Sequence, residues 1–110
     1  MNECKTLHEL CDQLGVSRRA VQGYEKAGLV AASSKNKYGH LLYDDEAQER
    51  IAKIKLYQRF GFSIREISLL LDAPESTTQN AIKNQIVYLK EQRKQIDLLI
   101  KEATRIVTVE

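Results

Sequence analysis

The sequence has no apolar run approaching the roughly 18 residues that a membrane-spanning helix needs, and no charged start followed by an apolar stretch that would mark a secretory signal. Neither a bilayer nor export is indicated, so the default compartment is the cytosol. Cysteine is scarce: Cys4 and Cys11 are too few and too early in the chain for a disulfide framework. Cys11 shares a helix face with Leu7, Leu10 and Leu14, the placement of a small core residue, and thiol-based sensing stays open only as a secondary reading. Also absent are a glycine-rich phosphate loop, a nucleophile elbow, an H-E-x-x-H run and a paired metal motif. No enzyme activity, no cofactor and no metal site are therefore expected. A single proline, with 43% hydrophobic and 29% charged residues, describes a folded, mainly helical chain. At 110 residues it has room for one small domain and one further element.

What is present is punctuation. Thr6 with Glu9 has capping-box form, which predicts a helix from about residue 7, and Gly15 ends it. Ser17 can cap a second helix, and Gly28 is placed to stop that helix in a left-handed conformation. Two short helices around a glycine turn make a helix-turn-helix, whose second helix enters the DNA major groove with its first residues at base edges. Arg18 and Arg19 stand there. Arg18, Gln22 and Lys26 form one i, i+4 row with Arg19 beside it, Ala20, Val21 and Tyr24 turn mostly inward, and Gly23 would let the backbone approach DNA closely.

Two apolar stretches, Leu29 to Ala32 and Leu41 to Tyr43, flank a lysine-bearing polar segment, so residues 29–43 read as a hairpin wing or as an ordinary surface loop. Asp44 and Asp45 can start a third helix, with Ala47, Ile51, Ile54 and Gln58 at helical spacing and Gly61 as its stop. Ser63 with Glu66 opens a fourth, striped by Ile64, Ile67, Leu70 and Leu71. Together they make a helical pair over about 45–72, with Tyr57, Phe60 and Phe62 as packing residues. Residues 1–74 are thus expected to form one domain.

The net charge of +2 is a weak pointer to nucleic acid, but its distribution is informative. Residues 1–43 carry six Lys and Arg against four Asp and Glu, residues 44–75 five against seven, and residues 76–110 six against four. The middle segment is therefore not expected to face phosphate.

Pro74 breaks the chain, and Ser76 with Gln79 forms a third box of the capping type. From there one helix is predicted almost to the end of residues 75–110. Ile82, Ile86, Leu89, Arg93, Ile96, Ile100, Ala103 and Val107 alternate in steps of four and three, a heptad seam. About 32 residues at 1.5 Å rise give roughly 48 Å, too long for so small a body to cover. A coiled-coil homodimer is the expectation, with Arg93 as a register device. Lys83, Lys90, Glu91, Lys94, Asp97 and Lys101 occupy the outer face.

Residues 5 to about 107 resemble the mercury-resistance regulator (MerR) family of bacterial transcription factors. The resemblance is carried by L-G-V-S-R-R-A-V-Q-G-Y-E-K-A-G-L at Leu14 to Leu29, G-H-L-L-Y-D-D-E at Gly39 to Glu46, and F-G-F-S-I-R-E-I at Phe60 to Ile67. It implies a mainly α fold: a winged helix-turn-helix, two further helices, and a long coiled-coil helix that pairs antiparallel with its twin. It also implies a transcriptional regulator that binds a pseudo-palindromic operator in double-stranded DNA and distorts promoter DNA, with RNA polymerase a further candidate partner, in the bacterial cytosol at the nucleoid. Ser17, Arg18, Arg19, Gln22, Gly23, Tyr24 and Lys26 are then the expected DNA-binding residues of the second helix, and Lys35, Lys37, Tyr38 and His40 those of the wing. Arg19 and Gln22 suit base edges, Arg18 and Lys26 phosphates.

Two departures stand out. Gln22 occupies the place where the family usually has the Arg of R-Y-Y-E, and Leu41 that of the Arg in G-Y-R-L-Y. Each lost phosphate contact is expected to lower the salt slope of binding by about one unit. Arg18 and Lys37 are placed to compensate. Only a few residues follow the long helix and none is Cys or His, so an effector site of the usual kind is not expected. Two alternatives remain: a degenerate member acting as a coiled-coil protein-interaction module, and an architectural or excisionase-like DNA-bending factor.

Overall fold

The computed structural model describes residues 4–108. Residues 1–3 and 109–110, the outer ends of the two expected domains, lie outside that range. The elements are β1 (Lys5–Thr6), α1 (Leu7–Leu14), α2 (Arg18–Lys26), β2 (Ser34–Lys35), β3 (Leu41–Tyr43), α3 (Asp45–Arg59), α4 (Ile64–Leu70) and α5 (Glu75–Thr108). They form two compact units, residues 1–72 and 73–110.

Local chemistry sets the first unit's helix boundaries. The Thr6 hydroxyl accepts the Glu9 N–H at 3.3 Å while the Glu9 carboxylate accepts the Thr6 N–H at 3.0 Å, closing the box that starts α1. Those bonds hold the Glu9 carboxyl below its ordinary pKa. Gly15 (φ 66°) ends α1 in the left-handed region, where a side chain would be strained. Ser17, Asp44 and Ser63 cap α2, α3 and α4 by accepting from Ala20, Ala47 and Glu66. The N–H groups of Gly28 and Leu29, bonded to the carbonyls of Glu25 and Tyr24, terminate α2 as expected.

The core is built from Leu10 of α1, Val21 and Tyr24 of α2, Tyr43 of β3, Ile51, Ile54 and Tyr57 of α3, and Ile67 of α4. Tyr57 lies 6.2 Å from Phe60 and 6.1 Å from Phe62, so the three aromatics pack together as predicted. Cys11 is only half-buried, less enclosed than its face suggested, and burial pushes its thiol pKa up. Such a thiol holds its proton more firmly and is a poorer sensor.

The wing corrects the sequence reading. Its first strand is Ser34–Lys35, not the apolar Leu29 to Ala32, and it pairs antiparallel with β3 through Ser34 opposite Leu42 and Lys35 opposite Leu41. Leu29 and Val30 are buried instead, because the chain leaving α2 must first cover the core. β1, two residues long, adds to the other edge of β3 through Lys5 opposite Tyr43, giving the order β1-β3-β2.

In the second unit α5 runs for 34 residues with none of them buried. The Ser76–Gln79 box does not form. Pro74 supplies the carbonyl that accepts from Thr77 and Thr78, the helix is already under way at Glu75, and the Gln79 amide donates to the Glu75 carboxylate at 3.3 Å. Ser76 therefore sits inside the first turn. The seam residues Ile86, Leu89, Ile96, Ile100 and Val107 are exposed, but so are Val87, Tyr88, Leu98, Leu99 and Ile106. At 100° per residue Tyr88, Leu99 and Ile106 widen the apolar arc to one side of the seam. Val87 and Leu98 lie among the charges, so the outer face is less uniformly polar than the pattern implied.

Candidate nucleic-acid interface

α2 begins at Ser17, whose oxygen is committed to the Ala20 N–H at 3.0 Å. Arg18, Arg19, Gln22, Gly23 and Lys26 are all exposed on one side of the helix. A Cβ built on Gly23 would meet nothing within 4 Å, so that face is open and glycine is not demanded by packing. Tyr24 must be removed from the set of surface residues. It is 3% exposed, and its hydroxyl donates to the Gln58 carbonyl oxygen at 2.6 Å. Burial raises its phenol pKa, which keeps it a donor in that bond.

Two side-chain ties hold α2 itself, and two more hold the chain just before and just after it. In the turn ahead of α2, the Lys55 ammonium of α3 donates to the carbonyls of Leu14, at 3.0 Å, and of Gly15, placing positive charge at the C-terminal end of α1 where the helix dipole favours it. In the last turn of α2, Gln58 of α3 holds Tyr24. Toward its end, the Tyr43 hydroxyl donates to the Glu25 carboxylate. Just beyond, Arg50 of α3 donates to the Leu29 carbonyl and makes a two-pronged bond, 2.9 Å on each arm, to Asp72. That guanidinium holds the Asp72 carboxyl below its ordinary pKa.

The wing tip is shaped by Asn36, a residue the sequence reading passed over. Its side-chain oxygen accepts from the Tyr38 N–H at 2.9 Å and the His40 N–H at 3.0 Å, while its own N–H bonds the His40 carbonyl. Lys35, Lys37, Tyr38 and His40 are exposed. The Lys37 ammonium lies 5.2 Å from the Tyr38 ring centroid, and the rings of Tyr38 and His40 are 6.3 Å apart. Tyr38 is 72% exposed, open to a partner rather than packed in the core.

A shallow cleft beside the start of α2 is lined by Ser17, Ala20, Lys55 and Arg59. Arg59 is exposed and adds a cation next to Ser17, although it belongs to the segment whose net negative charge pointed away from phosphate. The segment average concealed it: the acids Asp44, Asp45, Glu46 and Glu49 occupy the first turns of α3, whereas Lys55 and Arg59 occupy its last. Among the described residues no group of three or more His, Cys, Asp or Glu side chains is placed to hold a metal ion, and no helix is long and apolar enough to cross a membrane.

Two family models match the chain: MerR HTH family regulatory protein over residues 5–74, and MerR, DNA binding over residues 48–108. Among curated relatives, the nodulation protein NolA of Bradyrhizobium elkanii is 35% identical over 87% of this chain and 40% of its own length. The HTH-type transcriptional activator mta of Bacillus subtilis is 30% identical over 83% of this chain and 35% of its own length. The chain thus spans well under half of these relatives. Among solved structures, the N-terminal part of the Bacillus subtilis multidrug transporter activator, MtaN, superposes with a TM-score of 0.76 at 26% identity, over 94% of this chain and 98% of that one. HiNmlR, a MerR family regulator lacking the sensor domain and solved bound to promoter DNA, shares the fold with a TM-score of 0.69 at 18% identity, over 93% of this chain and 89% of its own. With the winged helix-turn-helix, the helical pair and the long terminal helix all in place, the chain belongs to the MerR family of helix-turn-helix regulatory proteins.

Proposed function

We propose that the chain is a sequence-specific DNA-binding transcriptional regulator. The observation that carries this reading is the exposed row of Arg18, Arg19, Gln22 and Lys26 on a helix whose last turn is bonded to its own domain through Tyr24 and Glu25, and whose preceding turn is held by Lys55. A rigidly held helix presenting donors to solvent suits major-groove readout, since little order has to be gained on binding. Arg19 and Gln22 read base edges, Arg18 and Lys26 hold phosphates, and Lys35, Lys37, Tyr38 and His40 grip the flanking backbone from the wing. Arg59 joins them as a further phosphate contact near the start of α2. The likeness to a regulator solved on promoter DNA supports this reading of the fold.

The working form is a homodimer paired antiparallel through α5 along Ile82, Ile86, Leu89, Arg93, Ile96, Ile100, Ala103 and Val107. The support is that α5 buries none of its apolar side chains within the chain. The dimer places two α2 helices in successive major grooves of a pseudo-palindromic operator and distorts the promoter between them, with RNA polymerase as the further partner and the bacterial nucleoid as the location. The role is binding, not catalysis. Selection of bound sequences from a random duplex pool tests it: a palindromic consensus is expected. Absence of any enriched sequence at low salt would instead favour a coiled-coil protein-interaction module, the alternative that the Gln22 and Leu41 replacements leave standing.

A further inference from the structure

Neither Glu25 nor Tyr43 has a part in the DNA contacts assigned so far, yet the structure bonds the two side chains to each other. Tyr43 is 0% exposed and sits on β3, the central strand of the wing sheet. Its backbone pairs with Lys5 of β1, and its carbonyl accepts from the Gln48 side chain of α3 at 2.8 Å. Its hydroxyl reaches the half-buried carboxylate of Glu25, in the last turn of α2. Burial, reinforced by the Glu25 carboxylate, raises the phenol's pKa, so the bond keeps its proton on the tyrosine throughout the neutral range.

From this geometry we propose that the Tyr43–Glu25 bond is a positioning pair that fixes the wing relative to the recognition helix, and so determines which spacing between major-groove and flanking contacts the protein accepts in its DNA. The proposal rests on the DNA-binding reading above. A helix and a wing that contact one duplex must keep a set separation, because a one-base-pair change in the site moves the flank by about 3.4 Å along the axis and rotates it around the helix. A direct bond between the two elements resists that change. Without it the wing can follow the flank, and the bound geometry must be selected from a wider set of conformations.

The test compares the full chain with Tyr43→Phe, Glu25→Leu and Glu25→Gln on the selected operator and on versions with one base pair added or removed between the half-site centre and the flank protected by the wing. Melting temperature and hydroxyl-radical footprints are recorded alongside. The expected result is a wild-type preference of about tenfold or more for the native spacing that falls to about twofold in Tyr43→Phe and Glu25→Leu. Protection by α2 persists in both. Glu25→Gln, which keeps an acceptor oxygen, retains the preference. A Tyr43→Phe protein that keeps the full preference, or that weakens on every spacing alike in step with a lower melting temperature, overturns the proposal while leaving DNA binding intact. A wild type that binds no duplex overturns the DNA-binding reading and the pair's role with it.

Discussion

Replacing Gly23 with Ala should separate folding from binding. Gly23 lies inside α2, where glycine costs about 0.5–1 kcal/mol relative to alanine because the unfolded chain has more freedom to lose. A Cβ there meets nothing within 4 Å, so no clash offsets the gain. The variant should be more stable by about 0.5–1 kcal/mol, which for a domain of this size corresponds to roughly 2–8 °C in melting temperature. Binding should move the other way. Gly23 is on the face that carries Arg19, Gln22 and Lys26, and a methyl group there holds the helix off the groove floor, which we expect to weaken operator affinity about tenfold, or 1.4 kcal/mol. Thermal melts by circular dichroism and fluorescence anisotropy with a labelled duplex read the two effects on one preparation. A destabilised variant would show that the open space is not there. A stabilised variant with undiminished affinity would show that α2 does not enter a groove by this face.

Further outcomes follow from the same geometry. Ile96→Lys, which places a charge in the α5 seam, should convert the protein from dimer to monomer at micromolar concentration in sedimentation velocity, and an unchanged mass would remove Ile96 from the pairing surface. The raised phenol pKa of Tyr43 means the unfolded chain loses that proton first, so stability is present below about pH 10 and should fall as pH rises above it; a Tyr43→Phe protein should lack that alkaline loss, as read by denaturant melts from pH 8 to 11. The depressed carboxyl of Asp72 has the opposite sign. Its contribution is present above the ordinary value of 3.8 and should be lost as pH drops below it, and Asp72→Asn should flatten that acid limb; an acid limb identical in wild type and variant would show that the Arg50 clamp does not matter to folding.

Much of the fold was legible because its signals are local. The boxes of Thr6 with Glu9 and Ser63 with Glu66 need only partners three residues apart, and both form. Ser76 with Gln79 has the same spacing and fails, since Pro74 ahead of it lets the helix start earlier, so spacing alone does not choose between two adjacent starts. β1 is too short to show alternation, and its pairing with β3 joins residues far apart in sequence. The exposed row on α2 could be read from helical geometry, and so could the inward turn of Val21. Tyr24 carried two readings, inward by helical geometry and DNA-facing by the family resemblance, and its burial with the Gln58 partner from α3 decides for the first. For the same reason Lys55, Arg59 and the Glu25–Tyr43 bond left no mark in the linear pattern. Their roles arise from neighbours 18 to 42 residues away.

Competitive binding of wild type, Arg18→Ala and Arg19→Ala to the selected operator and its single-base variants, across a series of salt concentrations, bears most directly on the claim that α2 reads DNA. Arg19→Ala should cost about 1–3 kcal/mol on the preferred site and relax discrimination at one base position, whereas Arg18→Ala should weaken all sites alike and reduce the salt slope by about one. If both variants match the wild type in affinity, base preference and salt slope, the exposed row on α2 does not touch DNA, and the account fails.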